Sequence, residues 1–349
     1  MSEKKRESWI DICKGIAIIF VVMGHVVSSF HNSGLLKEAT AFNYVGKLIY
    51  SFHMPLFFMI SGLLFTKSKQ SPLGQCLKKK IAAYGIPYTV FSLIIGGSKI
   101  IFSSFVNGNV RLTDLLSILF YPISFFWFLY ALLVISAIQL VLGHIGGKHQ
   151  AEFAFFFGLF VRIALSFVPD TIYGFNIKEL GLIDAAKYYI WFVIGQYFLC
   201  YLIEKLKGFG GKNSYIIIPF FVAVYCLIVY MLMHFSLSGV YFDVPLAFIG
   251  SMIICLLSIS IKKNKVLQHI GKFTMPIYLF HGLVISVLRI GLIKLHIPFW
   301  GGLVPMIVCT GLGLMIPMVI YHILKHFIVF DFCIYPTKYL VFKHNKQDK

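Results

Sequence analysis

The sequence predicts an all-α integral membrane protein of about ten transmembrane helices. Of its 349 residues 59% are hydrophobic and only 13% are charged, whereas a soluble globular chain carries roughly a quarter charged residues. The apolar residues form blocks of about twenty, the length that a helix needs to cross a hydrocarbon core of ~30 Å. Because so few polar residues are present, the chain cannot cover a water-soluble particle with polar surface, and lipid is its expected surrounding.

Charged or turn-rich connections separate the apolar blocks and define the predicted spans. These spans are residues 12–32, 47–66, 81–103, 115–142, 151–169, 185–204, 214–235, 242–261, 273–293 and 300–326. No repeat, linker or low-complexity stretch divides the chain, which indicates a single membrane domain over residues 1–349.

The distribution of basic residues predicts the orientation of the spans. With the N-terminal residues 1–10 and the C-terminal tail 327–349 in the cytoplasm, the inner segments hold 21 Lys and Arg when Lys325 at the edge of the tail is included. The outer connections hold six when Lys47 and Lys187 at their edges are included. This excess is the positive-inside pattern. It also explains the net charge of +18 without nucleic acid, because the charges alternate between connections and face the anionic inner leaflet.

The sequence gives no sign of a metal or nucleotide cofactor. None of the seven cysteines falls in a predicted outer connection, and their spacing contains no CxxC pair, so neither a zinc site nor a redox pair is expected. No Walker-type or GxGxxG loop follows a strand, as ATP or NAD binding would require.

The first span carries three ionisable residues, which are costly in a membrane and therefore candidates for function. Asp11, Lys14 and His25 share one stripe of the helix at about 100° per residue. Asp11 and Lys14 can pair at i,i+3, either as interfacial anchors or as part of a site. His25 lies thirteen residues beyond Ile12, which places it ~20 Å into a core of ~30 Å.

A second histidine is predicted at the same depth on the neighbouring span. His53 follows the outer end of its span by about five residues, or ~8 Å, and Pro55 is then expected in the first turn, where a missing N–H costs little. We therefore predict a shared site for His25 and His53, although a membrane histidine is often only an interhelical hydrogen-bond partner. A buried neutral imidazole can take a proton from a hydroxyl during acyl transfer, but it also suits a proton-coupled transporter.

A basic connection follows the second span. Its lysines are Lys67, Lys69, Lys78, Lys79 and Lys80. Five lysines together are able to bind a polyphosphate donor such as coenzyme A, and they equally fit the ordinary excess of basic residues on the inner side.

Two aromatic-rich segments add further candidates. Tyr278 and His281 are three positions apart in the ninth span and share a helix face, either for packing or for a role beside the pocket. Trp127 fits both an aromatic residue at the membrane interface and the wall of a pocket. Arg289, near a span end, is interpreted as interfacial or structural.

Taken in order, these strings resemble the membrane acyltransferase type 3 family, and within it the fucose 4-O-acetylase-like branch. The matching segments are Asp11–Ala17 with His25 eleven positions after Lys14, Phe52–Phe58 followed by Ser61 and Gly62, Lys78–Pro87, Trp127–Leu129 and Ile277–His281. Each motif alone is weak, whereas five in order over residues 6–281 make the resemblance specific.

The resemblance implies O-acetylation of a surface or lipid-linked polysaccharide by acetyl-CoA in the bacterial inner (plasma) membrane. It makes His25 the expected catalytic base or transient acyl carrier, with His53 orienting it or aiding the leaving thiol. Lys14 and Lys80, with the neighbouring Lys78, are the expected contacts to acetyl-CoA. Because these basic positions are Lys, where many relatives have Arg, bidentate phosphate recognition is not expected. The residues expected to support the pocket are Asp11, Ser61, Trp127, Tyr278 and His281.

The alternative function is a transporter or flippase of a lipid-linked sugar. It would need no acetyl-CoA, and its loss would lead to untransported precursor instead of unacetylated polymer. In both cases the expected partners are membrane lipids and a carbohydrate or lipid-linked glycan, with no nucleic acid and no metal. A purely structural membrane subunit would leave the buried histidines unexplained.

Overall fold

The structure, a computed structural model, describes most of the chain. The described residues are 8–35, 40–65, 72–101, 111–145, 147–172, 175–207, 214–261, 263–295 and 303–340. Lys67 and Lys69 of the predicted basic connection, and parts of both predicted cytoplasmic ends, lie outside them.

Helices make up nearly all of the described residues. In chain order they are α1 (Ser8–Asn32), α2 (Thr40–Phe65), α3 (Leu73–Lys80), α4 (Ile86–Ile101), α5 (Leu112–Leu116), α6 (Trp127–Ile145), α7 (Gln150–Ala164), α8 (Gly181–Val193), α9 (Leu199–Lys207), α10 (Ser214–His234), α11 (Val240–Ser260), α12 (Lys265–Lys272), α13 (Thr274–Lys294), α14 (Leu303–Leu324) and α15 (Ile328–Ile334). Single π-helical turns join α3 to α4 and α8 to α9. Two-residue strands, β1 (Thr171–Ile172) and β2 (Phe175–Asn176), pair antiparallel.

Nine helical stretches in the described part of the chain are long and apolar enough to cross a membrane. They coincide with nine of the ten predicted spans, and the prediction of an all-α membrane protein of about ten helices is confirmed. The remaining predicted span, 185–204, falls on the continuous helix formed by α8, its π turn and α9. Lys187, Gln196 and four tyrosines make that helix less apolar than the others, and its middle, Ile190–Val193, is buried.

The described residues divide into two compact units. The first contains those of 1–60 and 200–321. Its centre is α1, which packs against α11, α12 and α13 and is buried along most of its length. Apolar side chains on several faces of one helix indicate a position inside a helix bundle instead of at its lipid surface.

Two glycines set the closest approach in this first unit. A Cβ atom at Gly15 of α1 would collide with the backbone carbonyl of Leu267, and one at Gly271 of α12 would collide with that of Asp11. Because glycine has no side chain, the backbones of α1 and α12 are in direct contact at these two positions. Small residues commonly allow such close contacts between membrane helices. The amphipathic α12, whose first turn is capped by the side chain of Asn264, thereby covers the N-terminal part of α1.

The second unit contains the described residues of 61–199 and 322–349. Here α8 packs against α6 and α7, and the short α15 packs against α4. Asp331 of α15 is buried and accepts hydrogen bonds from Lys338 Nζ at 2.9 Å and Tyr339 Oη at 2.7 Å. The described part of the predicted C-terminal tail is therefore folded onto this unit.

Two predicted boundaries are wrong, and one connection contains a helix. The span predicted at 115–142 begins only at Trp127, because α5 ends at Leu116 and the following turns include Pro122 and Ser124, whose φ of 57° is incompatible with a helix. Lys78–Lys80 lie in α3 instead of a connection, since the helix starts at Leu73 and continues through its π turn into α4. The bounds of the predicted inner connection 262–272 agree with the ends of α11 and α13. The connection also contains α12, whose capping residue and amphipathic pattern mark a helix.

Candidate active site

Three histidines from three helices of the first unit lie together. The imidazole of His25, on α1, has its centroid 5.0 Å from that of His281, on α13. His53, on α2, is close enough to His25 for the two rings to interact electrostatically. His53 and His281 are buried, while His25 retains some accessible surface. The structure therefore brings the predicted pair together and adds His281, for which packing was an equal alternative.

The ring of His53 is held by its own helix. Its Nδ1 atom is 2.8 Å from the carbonyl oxygen of Ile49, and Tyr50 packs edge-on against the ring at 5.1 Å. Because a carbonyl oxygen only accepts hydrogen bonds, Nδ1 must carry the proton. The neutral ring then keeps its lone pair on Nε2.

His281 is held in the same way. Its Nδ1 atom is 2.7 Å from the carbonyl oxygen of Tyr278 and 3.1 Å from that of Ile277. The Nδ1 proton is again fixed by backbone acceptors, so that the neutral ring keeps its lone pair on Nε2. The predicted supporting residue Tyr278 is buried, with its ring 6.1 Å from His281.

The approach of α1 to α2 beside the histidines depends on Gly24. A Cβ atom there would lie 3.2 Å from Ile49 and 3.5 Å from the ring of Tyr50. Tyr50 also lies beside Ser28, one turn along α1 from His25. A small residue next to His25 thus lets the helix that carries His53 come close.

The predicted position of His53 within its helix is wrong. The helix begins at Thr40, thirteen residues before His53, and Pro55 lies inside it instead of in its first turn. Because proline has no N–H, the carbonyl of Ser51 loses its helical donor. Neighbouring helices support this weakened segment: Tyr225 forms a 2.6 Å hydrogen bond with the Ser51 hydroxyl, and Ser251 donates to the carbonyl of Phe52 at 3.5 Å.

The predicted pair at the N-terminal end of α1 is present. Lys14 Nζ is 3.9 Å from a carboxylate oxygen of Asp11, which is a long ion pair. Asp11 is buried beside Gly271, whereas Lys14 keeps part of its surface. This end of α1 is eleven residues from His25 in the chain, or ~16 Å along the helix.

The remaining predicted residues lie in the second unit. Lys80 is half-buried, with Nζ 4.8 Å from the ring centroid of Phe65 and 5.6 Å from that of Tyr84, while Lys78 is exposed. Trp127, the first residue of α6, stacks on Tyr188 at 5.1 Å.

Ser61 is half-buried on α2. The adjacent Gly62 is packed so tightly that a Cβ atom would collide with the carbonyl of Phe192. This contact holds α2 against α8 within the second unit, and Ser61 lies beside it.

The sequence interpretation of Arg289 missed its burial. Arg289 is only 4% exposed, and one of its terminal nitrogens donates to Ser29 Oγ at 3.2 Å. The sequence did contain a signal for this burial. Arg289 is a charged residue in an apolar helix, eight positions after His281, and this spacing places the two side chains about 80° apart around the helix axis, on neighbouring faces.

The cluster suits proton transfer. Two buried imidazoles with fixed Nδ1 protons flank a third that is partly accessible, and imidazole is the side chain best suited to exchange a proton near neutral pH. Within the described ranges no group of three or more His, Cys, Asp or Glu is arranged to hold a metal ion. The arrangement can therefore take a proton from a hydroxyl placed beside His25.

A family model described as an acyltransferase domain matches residues 7–322. The chain belongs to the acyltransferase type 3 family. This membrane acyltransferase therefore transfers an acyl group to a hydroxyl acceptor. All three clustered histidines lie within the matched region. Comparisons with curated proteins and with solved structures gave no match.

Proposed function

We propose that this acyltransferase moves an acetyl group from acetyl-CoA to a hydroxyl of a cell-surface or lipid-linked polysaccharide in the bacterial inner membrane. The histidine cluster is the observation that carries the proposal. The resemblance to the fucose 4-O-acetylase-like branch, stated from the sequence motifs, supports a carbohydrate as the acceptor.

In the proposed reaction His25 is the general base. It removes the hydroxyl proton while the hydroxyl oxygen attacks the thioester carbonyl, which forms the new C–O bond. The C–S bond then breaks, and the coenzyme A thiolate takes the proton from the imidazolium. His53 and His281 lie close enough to stabilise the charge that appears on His25, because electrostatic interactions are strong in a site with little water.

The lysines are proposed to bind the donor. Coenzyme A carries phosphate groups, and Lys14, Lys78 and Lys80 belong to segments that the basic-residue pattern assigns to the cytoplasmic side. Lysine binds phosphate as a point charge instead of as a bidentate fork. The acceptor would then approach His25 from the outer half of the membrane.

Replacing His25 by Ala tests the proposal. The variant should reduce acetate on the purified surface glycan by about 10²-fold or more, since general base catalysis contributes roughly 10²–10⁴. The matched control is His234→Ala, which removes an exposed histidine and should leave the acetate content unchanged. Normal acetylation in His25→Ala cells at equal protein abundance would contradict the proposal, and accumulated lipid-linked precursor would indicate a transporter instead.

A further inference from the structure

Arg289 occupies a defined position relative to the histidine cluster. It lies on α13 eight residues beyond His281, and its guanidinium donates to the hydroxyl of Ser29, which is four residues beyond His25 on α1. Four residues are about one helical turn, or ~6 Å. The guanidinium therefore lies about one turn from His25, on the side opposite to Lys14.

The charge of Arg289 is incompletely compensated. A guanidinium has five N–H donors, and the hydroxyl of Ser29 is a neutral acceptor that uses one of them. Among the residues that the structure describes, no carboxylate lies within 4.0 Å of Arg289. Buried charges are normally paired, because removing an ion from water is costly. A 4% exposed arginine whose hydrogen-bond partner among the described residues is a serine is therefore suited to receive an anion.

The position of Arg289 decides which substrate supplies that anion. The lysines proposed to bind coenzyme A include Lys14, at the other end of α1 from Ser29. An anionic group beside Arg289 would thus belong to the acceptor. Phosphate and carboxylate oxygens are the groups that a guanidinium binds best, often through two parallel hydrogen bonds.

We propose that Arg289 and Ser29 form a subsite for an anionic group of the acceptor, either a phosphate of a lipid carrier or a carboxylate of the sugar. Binding there would place the neighbouring hydroxyl beside His25. This inference rests on the proposed function, since it names the class of acceptor for the same site.

The test is a binding measurement on the purified full chain in detergent. The probes are a polyprenyl phosphate, methyl glucuronide and, as the neutral reference, octyl glucoside. One anionic probe should bind the wild-type protein at least tenfold more tightly than the neutral reference. Binding of the polyprenyl phosphate would identify the lipid phosphate as the source, and binding of methyl glucuronide would identify a sugar carboxylate.

Variants assign the binding to Arg289. Arg289→Gln should lower the affinity for the anionic probe at least tenfold, and Arg289→Lys should retain part of that affinity. Neither variant should change the binding of acetyl-CoA. The matched control is Lys294→Gln, which removes an exposed cation from the same helix. If Arg289→Gln does not fold, the Arg289→Lys variant and the wild-type preference for an anion still decide the question.

Two results would overturn the subsite: equal binding of all three probes by the wild-type protein, or unchanged anion binding by Arg289→Gln. Because no transfer is measured, the result is independent of the test on His25. Anion binding that depends on Arg289, together with normal acetylation in His25→Ala cells, would retain the subsite and contradict the proposed reaction.

Discussion

Two of the three clustered imidazoles have their protonation pattern set by the backbone. His53 and His281 each donate from Nδ1 to a carbonyl of the preceding helical turn, so each neutral ring offers only Nε2 as an acceptor. When the Nδ1 atom of a histidine points back to a carbonyl of its own helix, no second side chain is needed to select the tautomer. The two rings are therefore suited to stabilise a protonated His25.

Replacing His281 by Phe tests this role. The phenyl ring preserves the aromatic packing, but it removes the nitrogen that can stabilise a charge on His25. We expect transfer to fall by about tenfold to a hundredfold, less than for loss of the base itself. The measurement is transfer of labelled acetyl groups in membranes, and His234→Phe, at an exposed histidine, is the control. Equal activity of wild type and His281→Phe would show that His281 only packs.

Lys80 differs from its neighbours because its ammonium group lies between two aromatic rings. Cation–π contacts hold such a group in place, so a phosphate would meet a positioned charge. We expect Lys78→Ala and Lys80→Ala each to raise the KM for acetyl-CoA by about tenfold. This factor corresponds to the loss of one hydrogen bond to a charged group. Lys148→Ala, at another exposed lysine of a predicted inner segment, is the control, and an unchanged KM would contradict the donor role.

The sequence predicted single site residues better than their surroundings. A histidine deep in an apolar span is rare because an ionisable group is costly there, and His25 and His53 could therefore be predicted as site residues. The burial of Arg289 was missed because its position near a span end favoured an interfacial interpretation, and residue spacing does not show that α1 covers it. The backbone acceptors of His53 and His281 depend on side-chain rotamers, which residue spacing does not determine.

At the scale of single helices, Pro55 and the π turn at Ile81–Gly85 interrupt regular hydrogen bonding next to predicted site residues. Proline removes a donor and the π turn adds a residue to one turn. Both features change the direction in which the following side chains point, and hydropathy contains no information about them. Hydropathy likewise identified the span that contains His53, but it did not show that the helix begins as early as Thr40.

The contact between α1 and α12 gives a prediction about stability. Gly271→Ala places a methyl group against the backbone of α1, which cannot yield as a flexible side chain would. We expect a destabilisation of roughly 1–3 kcal/mol, as for other overpacked positions, seen as a thermal unfolding midpoint several degrees lower in detergent. Gly291→Ala is the control, because a Cβ atom there meets nothing within 4 Å. Equal midpoints for the two variants would disprove the close contact.

For the whole molecule, the predicted number of spans was accurate because hydrophobic length is a property of the chain alone. The helix formed by α8 and α9, which is less apolar than the nine other predicted spans, was still predicted because its length fits a span. The short helix α12 was not predicted, because eight residues with several charges are too brief and too polar to form a span. Its amphipathic spacing and its capping residue Asn264 are the signals that mark it.

The orientation of the whole molecule remains a prediction, and it rests on the 21 inner and six outer basic residues. It places Lys178 outside and Lys263 inside, and both are exposed. In intact cells a membrane-impermeant maleimide should therefore label Lys178→Cys, and it should label Lys263→Cys only after the membrane is permeabilised. The wild-type chain, with its seven native cysteines, supplies the background. Labelling of Lys263→Cys in intact cells would reverse the orientation, and it would move the proposed acetyl-CoA lysines to the side of the membrane that lacks the donor.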